Sequence, residues 1–232
     1  MKIQSLLTLA ATAALITSAS AATVQIAGWS MPNAVPSATT GSNYTYGAAN
    51  LGALTNGTSL SGFHTLAATT WASPFGNGDT YSLSCNNWSL GDYFQVSMAT
   101  TGYSDISVSW DQTRSSTGPS SFSLSMSTDG GANFTTLLAS YTVIQAGLAG
   151  TGTTSWNSVT TQPSFFTTTT DLGISGANQG NILLRFNSLS TPSAAGTGRI
   201  DNISVVQTVV PEPTSMLLLM FAGGMMLIRR KR

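Results

Sequence analysis

The chain has 232 residues, of which only 7% are charged, with 8 Lys+Arg against 8 Asp+Glu, where an ordinary soluble domain carries about 25%. Low charge combined with 41% hydrophobic residues and 5 Trp excludes a disordered acidic or basic chain, whose signature is high net charge with few aromatics. Between Ala22 and Val210 the cations are Arg114, Arg185 and Arg199 and the acids are seven Asp, a net charge of −4. Nucleic acid is therefore excluded as a partner, because neutralising phosphates needs clustered Lys and Arg.

At the N-terminus, Lys2 supplies a minimal basic region, residues 6–16 form a short apolar run, and Ala19-Ser20-Ala21 is the small-residue pattern that signal peptidase accepts. This predicts a signal peptide over 1–21, cut after Ala21, and an exported protein. Export places Cys85, the single cysteine, in an oxidising compartment without an intramolecular partner. A buried, unreactive thiol is the predicted state.

The body, 22–208, reads as all-β. Apolar and polar residues alternate in 92–98 (Phe94, Val96, Met98), 105–111 (Ile106, Val108, Trp110) and 121–127 (Phe122, Leu124, Met126), and a period of two marks half-buried strands. Further strands are predicted at 24–29, 80–84, 134–139, 181–188 and 199–207, separated by stretches rich in Gly, Ser, Thr and Asn. No amphipathic helical window interrupts them. Eight or more strands in roughly 187 residues predict one antiparallel β-sandwich of jelly-roll type. Uncharged edge strands leave self-association open.

Two motifs in the body carry weak chemistry. Residues Ser127-Thr128-Asp129-Gly130-Gly131-Ala132-Asn133-Phe134 resemble the Asp-box of sialidase-like propellers, but a single copy reads better as a Gly-rich hairpin turn, since Asp-Gly-Gly supplies positive φ. The run Arg199-Ile200-Asp201-Asn202-Ile203-Ser204-Val205 resembles the closing strand of secreted jelly-roll modules, including carbohydrate-binding ones. That resemblance implies Asp201, with Asn202 beside it, as a ligand of a structural Ca²⁺. A solvated or turn-capping Asp is the other reading.

Catalytic machinery is sparse. His64 is the sole His, with neither a nucleophile elbow nor metal-ligand spacing around it, and is predicted to lie on the surface or in a loop. Asp105 and Asp111 would sit about 20 Å apart on one strand face, too far for a glycosidase pair; other pairings among the seven Asp stay open. Trp29, Trp71, Trp88 and Trp156 could stack on sugars if exposed, although core packing is their commoner role.

The C-terminal segment, 209–232, is a second signal. Residues 214–228 are 15 uncharged residues, about 22 Å as a helix against a hydrocarbon core of about 30 Å. Snorkelling and bilayer thinning cover the difference. Arg229, Arg230, Lys231 and Arg232 would hold the tail in the cytoplasm, leaving the body outside. Val210-Pro211-Glu212-Pro213, the apolar helix with Ala222-Gly223-Gly224, and the terminal basic run together resemble the PEP-CTERM sorting signal of Gram-negative bacteria. The resemblance covers about the last 23 residues. It implies Pro211, Glu212 and Pro213 as the motif read by exosortase, a membrane-embedded cysteine protease, which removes the anchor. The flanking prolines fit that role, because they keep Glu212 in an extended, accessible segment.

Together these features predict a protein with signal peptidase, an exosortase-type protease and, transiently, the inner membrane as partners. Its destination is the cell surface or the extracellular matrix, and its expected role is non-enzymatic. A carbohydrate-binding module for exopolysaccharide is the alternative, and a secreted glycan hydrolase is the second.

Overall fold

The computed structural model describes residues 21–148 and 154–209. In chain order its strands are β1 (Ala22–Trp29), β2 (Thr39–Thr40), β3 (Asn43–Gly47), β4 (Ser59–Phe63), β5 (Thr70–Ala72), β6 (Leu83–Cys85) and β7 (Tyr93–Met98). They continue with β8 (Ile106–Arg114), β9 (Ser121–Ser127), β10 (Thr135–Thr142), β11 (Ile144–Gln145), β12 (Thr167–Asp171), β13 (Ile182–Ser188) and β14 (Gly198–Val209). The helices among the described residues are two 3-10 turns, Ser164–Phe166 and Ile174–Gly176. None is long and apolar enough to cross a membrane, and the helix predicted at 214–228 lies outside the described residues, as does most of the signal peptide.

Two sheets form the sandwich. Sheet A runs β11-β8-β14-β6-β5-β2, with β1 also on β14 and β12 also on β8; sheet B runs β10-β9-β13-β7-β4-β3. Apart from β1 on β14, pairing is antiparallel except for the two-residue contact of β11 with β8, which is parallel. Strict alternation puts Phe94, Val96, Met98, Phe122, Leu124, Met126, Leu184 and Phe186 of sheet B inside, against Trp71, Leu83, Val108, Trp110, Ile200 and Val205 of sheet A. Burying each such side chain contributes about 1.5–3 kcal/mol, and aromatic edges add specificity: Trp88 meets Phe94 and Phe122 at 5.1 and 5.2 Å, both T-shaped.

The alternating segments appear as strands within a few residues of their predicted bounds, but the strand predicted at 80–84 is only Leu83–Cys85. Strands β2 to β5 and β12 were not foreseen, because Gly, Ser, Thr and Asn interrupt or replace an apolar alternation in them, and β11 was not foreseen because it is only two residues long. Both edges of sheet B are irregular. β10 breaks register between Thr136 and Leu138 and again before Tyr141, and β3 breaks between Thr45 and Gly47. Such bulges twist an edge away from pairing, so edge-to-edge self-association is countered by geometry where charge is missing.

Candidate functional site

The outward positions of sheet B assemble a continuous aromatic and cationic row. Pairing places Phe63 of β4 opposite Tyr93 of β7, and Arg185 of β13 opposite Gln95 of β7. The Phe63 and Tyr93 rings stack with centroids 5.0 Å apart. The Arg185 guanidinium carbon lies 4.3 Å from the Tyr93 ring centroid and 4.1 Å from that of Phe134, so the planar group is held between two rings. Its Nε donates to Gln95 Oε1 at 2.8 Å. Asn187 donates from Nδ2 to Ser125 Oγ at 3.1 Å, adding amide and hydroxyl groups beside the row. All of these outward side chains are half-buried.

Phe134 reaches Arg185 because of the preceding turn. Asp129 accepts from Ser127 Oγ at 2.7 Å, from the Asn133 backbone at 3.0 Å and from Asn133 Nδ2 at 2.8 Å. Those donors hold its carboxyl below the usual range, the Asn133 amides first among them. Gly130 and Gly131 supply the positive φ, 75° and 95°. The hairpin reading of this segment is correct; its aromatic residue stacks on an arginine.

On sheet A, Asp201 of β14 and Asp111 of β8 are cross-strand partners. A bulge between Asp201 and Ser204 puts Asn202 at φ 47°, and its Nδ2 donates to Asp111 Oδ2 and to the Asn77 carbonyl, both at 2.9 Å. The Asn77 backbone donates to Asp201 Oδ2 at 2.7 Å and its side chain to Asp111 Oδ2 at 2.9 Å. A Cβ on Gly76 would lie 2.3 Å from Asp201 Oδ2, so only glycine lets this loop close over the carboxylate. Burial, with Asp79 and Asp111 adding to it, raises the Asp201 carboxyl well above its ordinary range against the backbone donors.

Asp201 is fully buried and its Oδ1 has no hydrogen-bond partner, an uncompensated acceptor of the kind a hard cation takes. Among the described residues no group of three or more His, Cys, Asp or Glu is arranged to hold a metal. Asp201 Oδ1 is thus a single carboxylate oxygen that a cation could take, without the cluster of acidic ligands that a metal centre ordinarily presents.

His64 lies in the loop that follows β4, as one of the two predicted places allowed, but it is buried rather than on the surface. It is 6% exposed, with its ring against Trp88 and Trp71 at 4.4 and 4.9 Å. Nδ1 is 3.3 Å from Asp92 Oδ2 and Nε2 is 3.3 Å from Cys85 Sγ. The order thiol, imidazole, carboxylate imitates a nucleophilic triad. Burial works against that chemistry at both ends: it lowers the His64 pKa, partly offset by Asp92, and raises the Cys85 thiol well above its ordinary value. Burial thus disfavours a thiolate–imidazolium pair, and Cys85 is 1% exposed. The three groups form a polar knot sealed in the core, which matches the buried thiol predicted from sequence.

Trp29, Trp71, Trp88 and Trp156 are 0, 0, 2 and 4% exposed and present no sugar platform. Asp105 precedes β8 at φ 48° and lines, with Ser104, Asp171, Ile174 and Thr208, an open cleft of about 590 Å³. The sorting residues Pro211, Glu212, Pro213, Arg229, Arg230, Lys231 and Arg232, and Ala19, lie outside the described residues. The row Phe63, Tyr93, Arg185, Phe134 was missed. Its signal was an aromatic and a lone cation on the polar phase of alternating strands, where small hydroxyl residues otherwise stand.

No family model matches the chain, and no curated protein does. Among solved structures it is similar to the CBM22-1 and GH10 modules of Clostridium thermocellum endo-1,4-β-D-xylanase 10B, complexed with xylohexaose, at 15% identity and a TM-score of 0.45. That match covers 81% of this chain but only 29% of the xylanase chain. It is also similar to the K1 cleaved adhesin domain of Porphyromonas gingivalis Lys-gingipain, at 14% identity and a TM-score of 0.42, covering 79% of this chain and 97% of that one. A third likeness is a CBM35 from Cellvibrio japonicus, at 18% identity and a TM-score of 0.33, covering 83% and 96%. All three are distant.

Proposed function

We propose that this is an exported, non-enzymatic protein of the cell surface or extracellular matrix, whose jelly-roll sandwich binds glycan on the outer face of sheet B. The observation that carries the reading is the row Phe63, Tyr93, Arg185, Phe134, two stacked rings and a clamped guanidinium flanked by Gln95 and Asn187. Glycan sites combine apolar ring surface with fixed polar groups for hydroxyls, and this row sets the half-buried rings of Phe63, Tyr93 and Phe134 beside Arg185, Gln95 and Asn187. Glycan-array binding by the purified protein tests it. Tyr93→Ala should weaken binding about tenfold, as the loss of one stacking ring would; unchanged binding sinks the assignment of this face.

Delivery rests on the two terminal signals. Signal peptidase removes 1–21, the 214–228 helix holds the precursor in the inner membrane with Arg229, Arg230, Lys231 and Arg232 in the cytoplasm, and an exosortase-type protease reads Pro211, Glu212 and Pro213. Asp201, supported by the Asn77 and Asn202 segments, would hold a structural Ca²⁺, which would neutralise buried charge and tie the 73–82 loop to β14. A hydrolase reading has one foothold, the two carboxylates of the Asp105–Asp171 cleft; release of reducing sugar that is lost in Asp171→Asn would favour it.

A further inference from the structure

We propose that the glycan taken by sheet B is acidic, and that Arg185 recognises its carboxylate end-on; this rests on the reading of that face as a glycan site. The six strands of sheet B contain no Asp or Glu, and Arg185 is their single charged residue. It sits near the middle of the sheet, on β13 between β9 and β7. The body as a whole is net negative, so this face is the exception to its own protein.

The guanidinium is held but not neutralised. Among the described residues the one acid–base contact within 4 Å is His64 with Asp92, inside the core. Asp129, on the same hairpin as Phe134, is held by Ser127 and Asn133 within its own turn. Tyr93 and Phe134 cover the two flat sides of the group, and Gln95 takes its Nε. The two terminal nitrogens have no acceptor among the described residues. Four N–H bonds thus point from a fixed planar edge, the geometry that matches two carboxylate oxygens and is wasted on one hydroxyl. The rings have already removed the rotamer freedom of the side chain, so little ordering remains to oppose binding. A uronate residue meets both demands, since its apolar side can pack beside the Phe63–Tyr93 stack while its carboxylate meets Arg185.

The test uses the full-length protein in detergent micelles with three probes: polygalacturonate, the same polymer fully methyl-esterified, and neutral dextran. Polygalacturonate should bind about tenfold more tightly than its ester, the size of one charge-assisted bidentate pair. Arg185→Gln should abolish that preference, and Arg185→Lys, which keeps the charge and loses the fork, should restore only part of it. Matching thermal midpoints for the three proteins show that the fold is intact. If acid and ester bind equally and Tyr93→Ala weakens both, the face binds glycan but the acidic assignment is wrong. If neither these probes nor a broad glycan array binds, the glycan reading falls and this inference falls with it.

Discussion

Gly62 of β4 offers a sharp check on the packing of the sandwich. Its φ is not positive, so alanine suits the backbone there, and by chain entropy alone Gly62→Ala would stabilise the protein by about 0.4–1 kcal/mol. The neighbour reverses that sign. A Cβ built on Gly62 would lie 2.1 Å from Cη2 and 2.3 Å from Cζ3 of Trp71, more than 1 Å inside ordinary contact. The indole has nowhere to go: it is fully buried, His64, Tyr44 and Phe94 stand at 4.9, 5.9 and 6.4 Å, and its Nε1 donates to the Gly41 carbonyl at 2.8 Å. Overpacking costs about 1–3 kcal/mol, and straining the indole hydrogen bond adds about 1 kcal/mol. Set against the entropic gain, the net destabilisation is about 1–3.5 kcal/mol, or a fall in Tm of roughly 2–14 °C for a domain of this size. Calorimetry of wild type and Gly62→Ala measures it directly. Trp71→Phe, harmful alone, should relieve much of the second lesion, giving a strongly non-additive cycle. A Gly62→Ala protein that melts at or above wild type would refute this account of the core.

Other expectations concern charge. His64 has its folded pKa lowered from 6.5 by burial, so below about pH 6.5 the unfolded chain takes up a proton that the folded ring refuses. Stability should therefore fall as pH drops, by at most about 1.4 kcal/mol per pH unit; the difference in urea midpoint between wild type and His64→Gln at pH 7.5 and 5.5 isolates this slope, and a constant difference counts against it. Ca²⁺ added to chelator-treated protein at about 100-fold over Kd should stabilise it by about 2.7 kcal/mol, and Asp201→Asn should erase the response; no shift at millimolar Ca²⁺ removes the site. At the C-terminus, replacing Arg229, Arg230, Lys231 and Arg232 by Ser should weaken membrane retention, since the tail loses the cations that resist translocation. Glu212→Gln should keep the anchor and impair processing in a host with the sorting protease, and release and trimming like wild type would falsify the role of Glu212.

What could be read along the chain was whatever depends on near neighbours. A period of two sets strand faces residue by residue, so 92–98, 105–111 and 121–127 announced both their strands and their inward side chains, and Asp129-Gly130-Gly131 announced its turn because φ preferences are local. The sheet partners of β3, β4 and β5 left no such trace, because these strands are short and in β4 Gly62 stands where a side chain would meet Trp71. His64 looked ordinary in Ser61-Gly62-Phe63-His64-Thr65; its burial depends on Cys85 and Asp92, 21 and 28 positions away. Asp111 and Asp201 meet only because β8 and β14 pair in one register. Arg185 and Tyr93 stand on paired strands, and Phe134 arrives from a separate hairpin. Such a clamp is specified by sheet order and the closing of long loops, which no short window of sequence contains.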